Sequence, residues 1–91
     1  MSKPIFILKG TEAAAPTGSG TASNVSSATV VRCVNSGTTA RLVTLEESGG
    51  TDIGTLTVAG GESVLIRKDA TDKIFAANAE ILLTEVGIYQ G

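Results

Sequence analysis

The stretch Thr55-Leu56-Thr57-Val58-Ala59-Gly60-Gly61-Glu62-Ser63-Val64-Leu65-Ile66-Arg67-Lys68 decides the fold class of this chain. Thr, Val, Leu and Ile on both sides of Gly60-Gly61 have the branched or bulky side chains that fit a pleated surface. Glycine reaches the positive φ angles that a two-residue hairpin turn requires. The segment therefore predicts two short strands joined as a β-hairpin, with Gly60 and Gly61 as its structural turn. A polar turn, Asp69-Ala70-Thr71-Asp72, and a short strand, Lys73-Ile74-Phe75-Ala76, follow.

Upstream, residues 29–35 and 40–46 read as strands on either side of the turn Ser36-Gly37-Thr38-Thr39, and a loop at residues 47–52 leads into the hairpin. Downstream, Ala77-Asn78-Ala79 turns the chain into a last strand at residues 80–89, where Gly87 and the β-partners before it favour a strand over a helix. Turn signals spaced roughly 8–12 residues apart mark a sandwich or barrel. The expectation is an all-β fold: a small antiparallel β-sandwich, with a jelly-roll-like form among its variants, whose body is residues 28–91.

Residues 1–27 are expected to form an N-terminal strand, Ile5–Leu8, with Pro4 at its start, followed by a low-complexity arm or linker of Ala, Gly, Ser and Thr. Two readings of the arm stand side by side. It is a floppy connector, or it is an extended arm laid on a neighbouring subunit and anchored by Ile5, Phe6, Ile7 and Leu8.

If the hairpins form as the turns imply, Val30, Val34, Val43, Leu45, Leu56, Val58 and Leu65 share one face. Val31, Cys33, Leu42, Thr44, Thr55, Thr57, Val64 and Ile66 share the other. Neither is polar, whereas a sheet with one wet face alternates apolar and polar residues. Both faces are expected to be covered, one by the domain's own second sheet and the other by another chain; the alternative is a Thr/Val surface left in water. Arg32, Arg41 and Arg67 fall on the first parity. They read either as an interface for an acidic partner or as rim ion pairs with Glu46, Glu47 or Glu85.

Composition narrows the function by exclusion. In 91 residues the aromatic side chains are Phe6, Phe75 and Tyr89, and there is no Trp, so a small aliphatic core favours added stability from oligomerisation. A net charge of −2 without a basic run argues against a nucleic-acid partner. No histidine is present, which removes Ser-His-Asp and Cys-His nucleophiles and the common zinc sites. Cys33 is the sole cysteine and reads as a small buried apolar side chain. Asp69 and Asp72 share a loop but lack the dense ligand pattern of a calcium loop, and the glycine pairs lack phosphate-loop spacing. No enzyme activity, cofactor, metal or membrane partner is expected. Apolar runs fall short of the roughly 20 residues that span a bilayer, and Lys9 ends the first apolar patch too early for a signal peptide. A soluble protein made in a cytoplasm is expected.

The run from Ala59 through Gly60-Gly61-Glu62-Ser63-Val64-Leu65-Ile66-Arg67-Lys68 to Ala76, the segment Ile81-Leu82-Leu83-Thr84-Glu85-Val86-Gly87-Ile88-Tyr89, and Ala28-Thr29-Val30-Val31-Arg32-Cys33-Val34-Asn35-Ser36-Gly37 resemble small virion structural proteins of tailed bacteriophages, notably marine and cyanobacterial ones. The motifs that carry the likeness are structural rather than chemical. It implies a capsid decoration or cement protein, located in the virion. Such a protein would form a homo-oligomer, with a trimer among the options, and bridge major capsid proteins. A tail, adaptor or fibre component and a carbohydrate-binding module are the alternatives. Arg41→Ala and Arg67→Ala are expected to weaken assembly without unfolding the domain.

Overall fold

The computed structural model describes residues 5–89, so the expectation for Pro4 lies outside them. Eight strands form: β1 (Ile5–Leu8), β2 (Ala13–Ala14), β3 (Val30–Asn35), β4 (Arg41–Glu46), β5 (Asp52–Val58), β6 (Ser63–Arg67), β7 (Lys73–Ala76) and β8 (Ile81–Tyr89). A single 3₁₀ turn at Ser19–Thr21 is the other regular element. One antiparallel sheet runs β1-β8-β3-β6, with β2 also on β8; the other runs β5-β4-β7. The chain is the small all-β sandwich that its turn spacing predicts.

The pairings have a simple logic. β4 pairs with β5, β3 with β6, Ser23 bridges Ile74 of β7, and β1 and β2 pair with β8. Each partner pair lies further out along the chain than the one before. The protein is therefore one long antiparallel ribbon, its tip at residues 47–51, rolled until the pairs alternate between two sheets. This is the jelly-roll path. The first sheet contributes Val31, Cys33, Ile66, Ile81 and Leu83 to the core, and the second contributes Val43, Val58, Ile74 and Ala76.

The expected hairpin at Gly60-Gly61 does not form, because β5 and β6 lie in different sheets. The turn itself is present: Glu62 N–H donates to Ala59 O (3.0 Å), and Gly61 has φ +78°. Only the second central residue has positive φ, the pattern of a type II turn, whose twist splays strands apart rather than pairing them. The face expectation changes with it. Val30, Val34 and Leu65 share the outer face of the first sheet. Val43, Leu45, Leu56 and Val58 share the inner face of the second.

Asn35 holds the ribbon where both legs bend from one sheet to the other. It ends β3 and is fully buried. Its Nδ2 donates to Thr39 O (2.7 Å) and Val58 O (2.9 Å), and its Oδ1 accepts from Gly37 N–H (2.9 Å). Its own N–H donates to Glu62 O (2.9 Å), and its carbonyl accepts from Gly61 N–H (3.0 Å). The legs press together so closely that a Cβ on Gly60 would sit 2.6 Å from the Thr38 carbonyl.

At the next bend Lys68 N–H donates to Thr29 O (3.0 Å). There Val25, Ser26 and Ser27 adopt φ of 55°, 58° and 60°, one left-handed turn. Asn24 supports it, its Oδ1 accepting from Ser27 N–H (3.1 Å). At the third bend Ala76 N–H donates to Pro16 O (2.9 Å) and Ala15 N–H to Ile81 O (2.8 Å). The low-complexity arm is thus neither a free connector nor laid on a neighbour along this part. It follows the chain's own β8 and β7, and Ala15 lies in the core.

Asn35→Ala removes three side-chain hydrogen bonds and leaves buried carbonyls unpaired, a loss of about 3 kcal/mol. At roughly 4–8 °C per kcal/mol for a domain of this size, the midpoint should fall by more than about 10 °C in a thermal melt. A shift below about 4 °C shows that the bend does not depend on Asn35.

Candidate functional site

β3 accompanies β8 only between Ile81 and Glu85. Beyond Glu85, β8 is paired with β1 alone: Leu8 with Val86, Ile7 with Gly87, Phe6 with Ile88 and Ile5 with Tyr89. The end of the first sheet is therefore a two-stranded ribbon. Phe6 and Leu8 project on the side of Ile88 and Val86, and Ile5 and Ile7 on the opposite side. All four β1 residues are exposed: Ile5 58%, Phe6 44%, Ile7 49% and Leu8 77%. An isolated two-stranded ribbon is marginally stable in water, and this one is apolar on both sides with a free strand edge. These are the four residues that the sequence places at an interface.

The three arginines are not brought together. Arg32 and Arg67 lie on the outer face of the first sheet, where Arg32 opposes Leu65 and Arg67 opposes Val30. Arg41 begins β4 in the second sheet. It bonds Glu80 through Nε (3.0 Å) and Nη2 (2.8 Å), both to Oε1, the only ion pair among the described residues. The rim ion pair therefore exists for Arg41, but its partner is Glu80. Glu46 is buried and accepts a hydrogen bond from Ser19 Oγ (2.8 Å). Glu85 lies near Lys68 instead, together with Asp72 and Asp69. Burial pushes the Lys68 ammonium below its ordinary pKa, against the pull of these carboxylates.

A second feature lies on the side away from β1. β5 and β6 are edge strands of their sheets, and between them opens an apolar cavity of about 190 Å³ lined by Val43, Leu45, Gly54, Thr55, Leu56 and Ile66. A Cβ added at Gly54 would meet nothing within 4 Å. A more polar hollow of about 240 Å³ lies under the arm, between Ala13, Ala14, Leu83 and the left-handed turn.

The sequence missed Asn35, Glu80 and Gly54. Asn35 had a readable signal, since Asn before Ser-Gly at a strand end marks a side-chain-capped turn. Glu80 and Gly54 had none, because their partners are distant in the chain. Asp69 and Asp72 form a closed turn, with Asp72 Oδ2 accepting from Asp69 N–H (3.0 Å). Among the described residues no cluster of three or more acidic or cysteine side chains is placed to hold a metal ion, and no helix is long and apolar enough to cross a membrane. No protein-family model, no curated protein and no solved structure matches this chain.

Cys33 is fully buried, and burial pushes its thiol up to about 11 from an ordinary 9.0. A folded pKa above the unfolded one contributes stability that is complete below pH 9 and lost as pH rises through 11. Two pKa units correspond to about 3 kcal/mol. Lys68, shifted the other way, acts in the opposite sense as the medium becomes alkaline. The Cys33 contribution is therefore read against Cys33→Ala. Urea unfolding should show the wild type losing about 2 kcal/mol relative to that variant between pH 9 and 11. Parallel pH profiles for the two proteins contradict the assignment.

Proposed function

We propose that this chain is a structural component of a tailed-phage particle, a decoration or cement protein that assembles with its own copies and bridges major capsid proteins. The observation that carries the reading is the apolar surface that the first sheet leaves uncovered. On its outer face Val30, Val34 and Leu65 surround Arg32 and Arg67, and the β1–β8 ribbon extends that face through Leu8, Phe6 and Ile88. Apolar area with embedded guanidinium groups suits a carboxylate-bearing protein surface: the stems bury against it and the planar heads pair. The resemblance of residues 28–37, 59–76 and 81–89 to small virion proteins points the same way.

The mechanism is buried area multiplied by repetition. Each chain offers only a small patch, yet a symmetric array makes attachment multivalent, so modest single contacts add up to durable binding. A rolled sandwich suits this task, because its bends are fixed by internal hydrogen bonds.

Location and attachment test the reading together. Quantitative mass spectrometry of purified virions should find hundreds of copies per particle; about a dozen or fewer assigns the chain to the tail, and none removes the virion reading. Particles stripped of the protein should rebind it. The double variant Leu65→Glu/Arg67→Glu, both positions exposed, should bind at least about 30-fold more weakly with an unchanged melting midpoint. Arg41→Ala, whose guanidinium is engaged with Glu80, should rebind normally. Normal rebinding by the double variant moves the contact elsewhere.

A further inference from the structure

We infer that copies of this chain join head to tail: the β1–β8 ribbon of one copy inserts Leu8 into the apolar cavity between β5 and β6 of the next. This rests on the homo-oligomer part of the function proposed above and names the two surfaces that meet.

Three observations carry it. First, the knob and the hole match. Among the described residues Leu8 is the most exposed of the large apolar side chains, at 77%, beside exposed Phe6. The cavity holds about 190 Å³ and is lined by Val43, Leu45, Leu56 and Ile66, with Thr55 and Gly54 completing its wall. An apolar cavity of roughly 150 Å³ already admits a benzene molecule, so one large aliphatic side chain fits. Gly54 leaves the space empty where any other residue would begin to fill it.

Second, both features sit at open strand edges. β1 has a partner only on its β8 side, and β5 only on its β4 side. Unpaired main-chain groups lie beside both the knob and the hole, the setting in which strands of different chains associate.

Third, the two features are at opposite ends of the molecule. The first sheet runs β1-β8-β3-β6, which puts the ribbon at one edge and the cavity, bounded by Ile66 of β6, at the other. A knob cannot reach the hole of its own chain. A two-fold dimer would need one patch to complement itself, whereas this pair of unlike surfaces makes a heterologous contact, which closes into a ring when the rotation per copy permits.

The test blocks each surface in turn. Gly54→Leu fills the hole from within: its Cβ meets nothing within 4 Å and the cavity of about 190 Å³ has room for the rest, so its melting midpoint should not fall. Leu8→Glu destroys the knob at a solvent-exposed position. In sedimentation velocity the wild type should run as a closed oligomer and each variant as a monomer. An equimolar mixture of the two should form a one-to-one heterodimer, because Gly54→Leu still carries the knob and Leu8→Glu still carries the hole. Assembly of Gly54→Leu together with loss of assembly in Leu8→Glu overturns the inference in favour of ribbon-to-ribbon pairing. A mixture that stays monomeric also overturns it. A wild-type protein that is monomeric at every concentration overturns this inference and the homo-oligomer reading with it. Virion copy number and rebinding judge the particle reading separately.

Discussion

Everything in this fold turns on the side chain of Asn35. A ribbon that bends from one sheet to another breaks its ladder on both legs at once, and the exposed amides and carbonyls must find partners inside a nearly dry corner. Asn35 supplies two donors and an acceptor at that corner, and its own main chain bonds the opposite leg. It ties the end of β3 to the starts of β4 and β6 and to the end of β5. Without it this corner would rest on apolar contact alone, which holds surfaces together but does not set their register.

The other two bends are held by different means, and one of them is strained. Three consecutive residues in the left-handed region cost roughly 1–2 kcal/mol each. The Val25 side chain packs against the core, and the Asn24 and Ser23 side chains bond the turn's amides. Burial and capping offset the backbone cost here, where a glycine would have relaxed the turn but left nothing to pack. The small residues of the arm have a related purpose. Ala13, Ala14 and Ala15 lie along β8, and Ala15 is buried in a place where a larger side chain would push the arm off the sheet.

Strand positions and the facing of residues within each strand were legible, because alternation is a local property. Val31 and Cys33 point inward and Val30, Arg32 and Val34 outward, as period-two reading of residues 29–35 requires. What escaped was the choice of partner. Gly60-Gly61 carries a hairpin's composition, but contact with Asn35 and Thr38 turns it into a crossover between sheets. Arg41 shares sequence parity with Arg67 yet sits in another sheet, and its partner Glu80 is 39 residues away. The arm looked unstructured because its Ala, Gly and Ser residues have little strand preference of their own; β8 imposes the extended form. The apolar character of the four exposed residues of β1 was readable from the sequence, but the empty space at Gly54 was not, since a void has no letter in a sequence.

The rolled ribbon also sets an order of events during synthesis. β8 is the central strand of the first sheet, flanked by β3 on one side and by β1 and β2 on the other, yet it leaves the ribosome after all the strands it must organise. Until then the first sheet has no middle, and β1 waits with its apolar residues in water. The tip hairpin of β4 and β5 closes early because its partners are near in sequence, and zipping then proceeds outward. The last pairing to form joins β1 to β8. On a crowded polysome β1, made before its partner β8, is therefore open longest to a strand from another nascent copy, and exchange of β1 between chains is the misassembly to which this topology is most exposed.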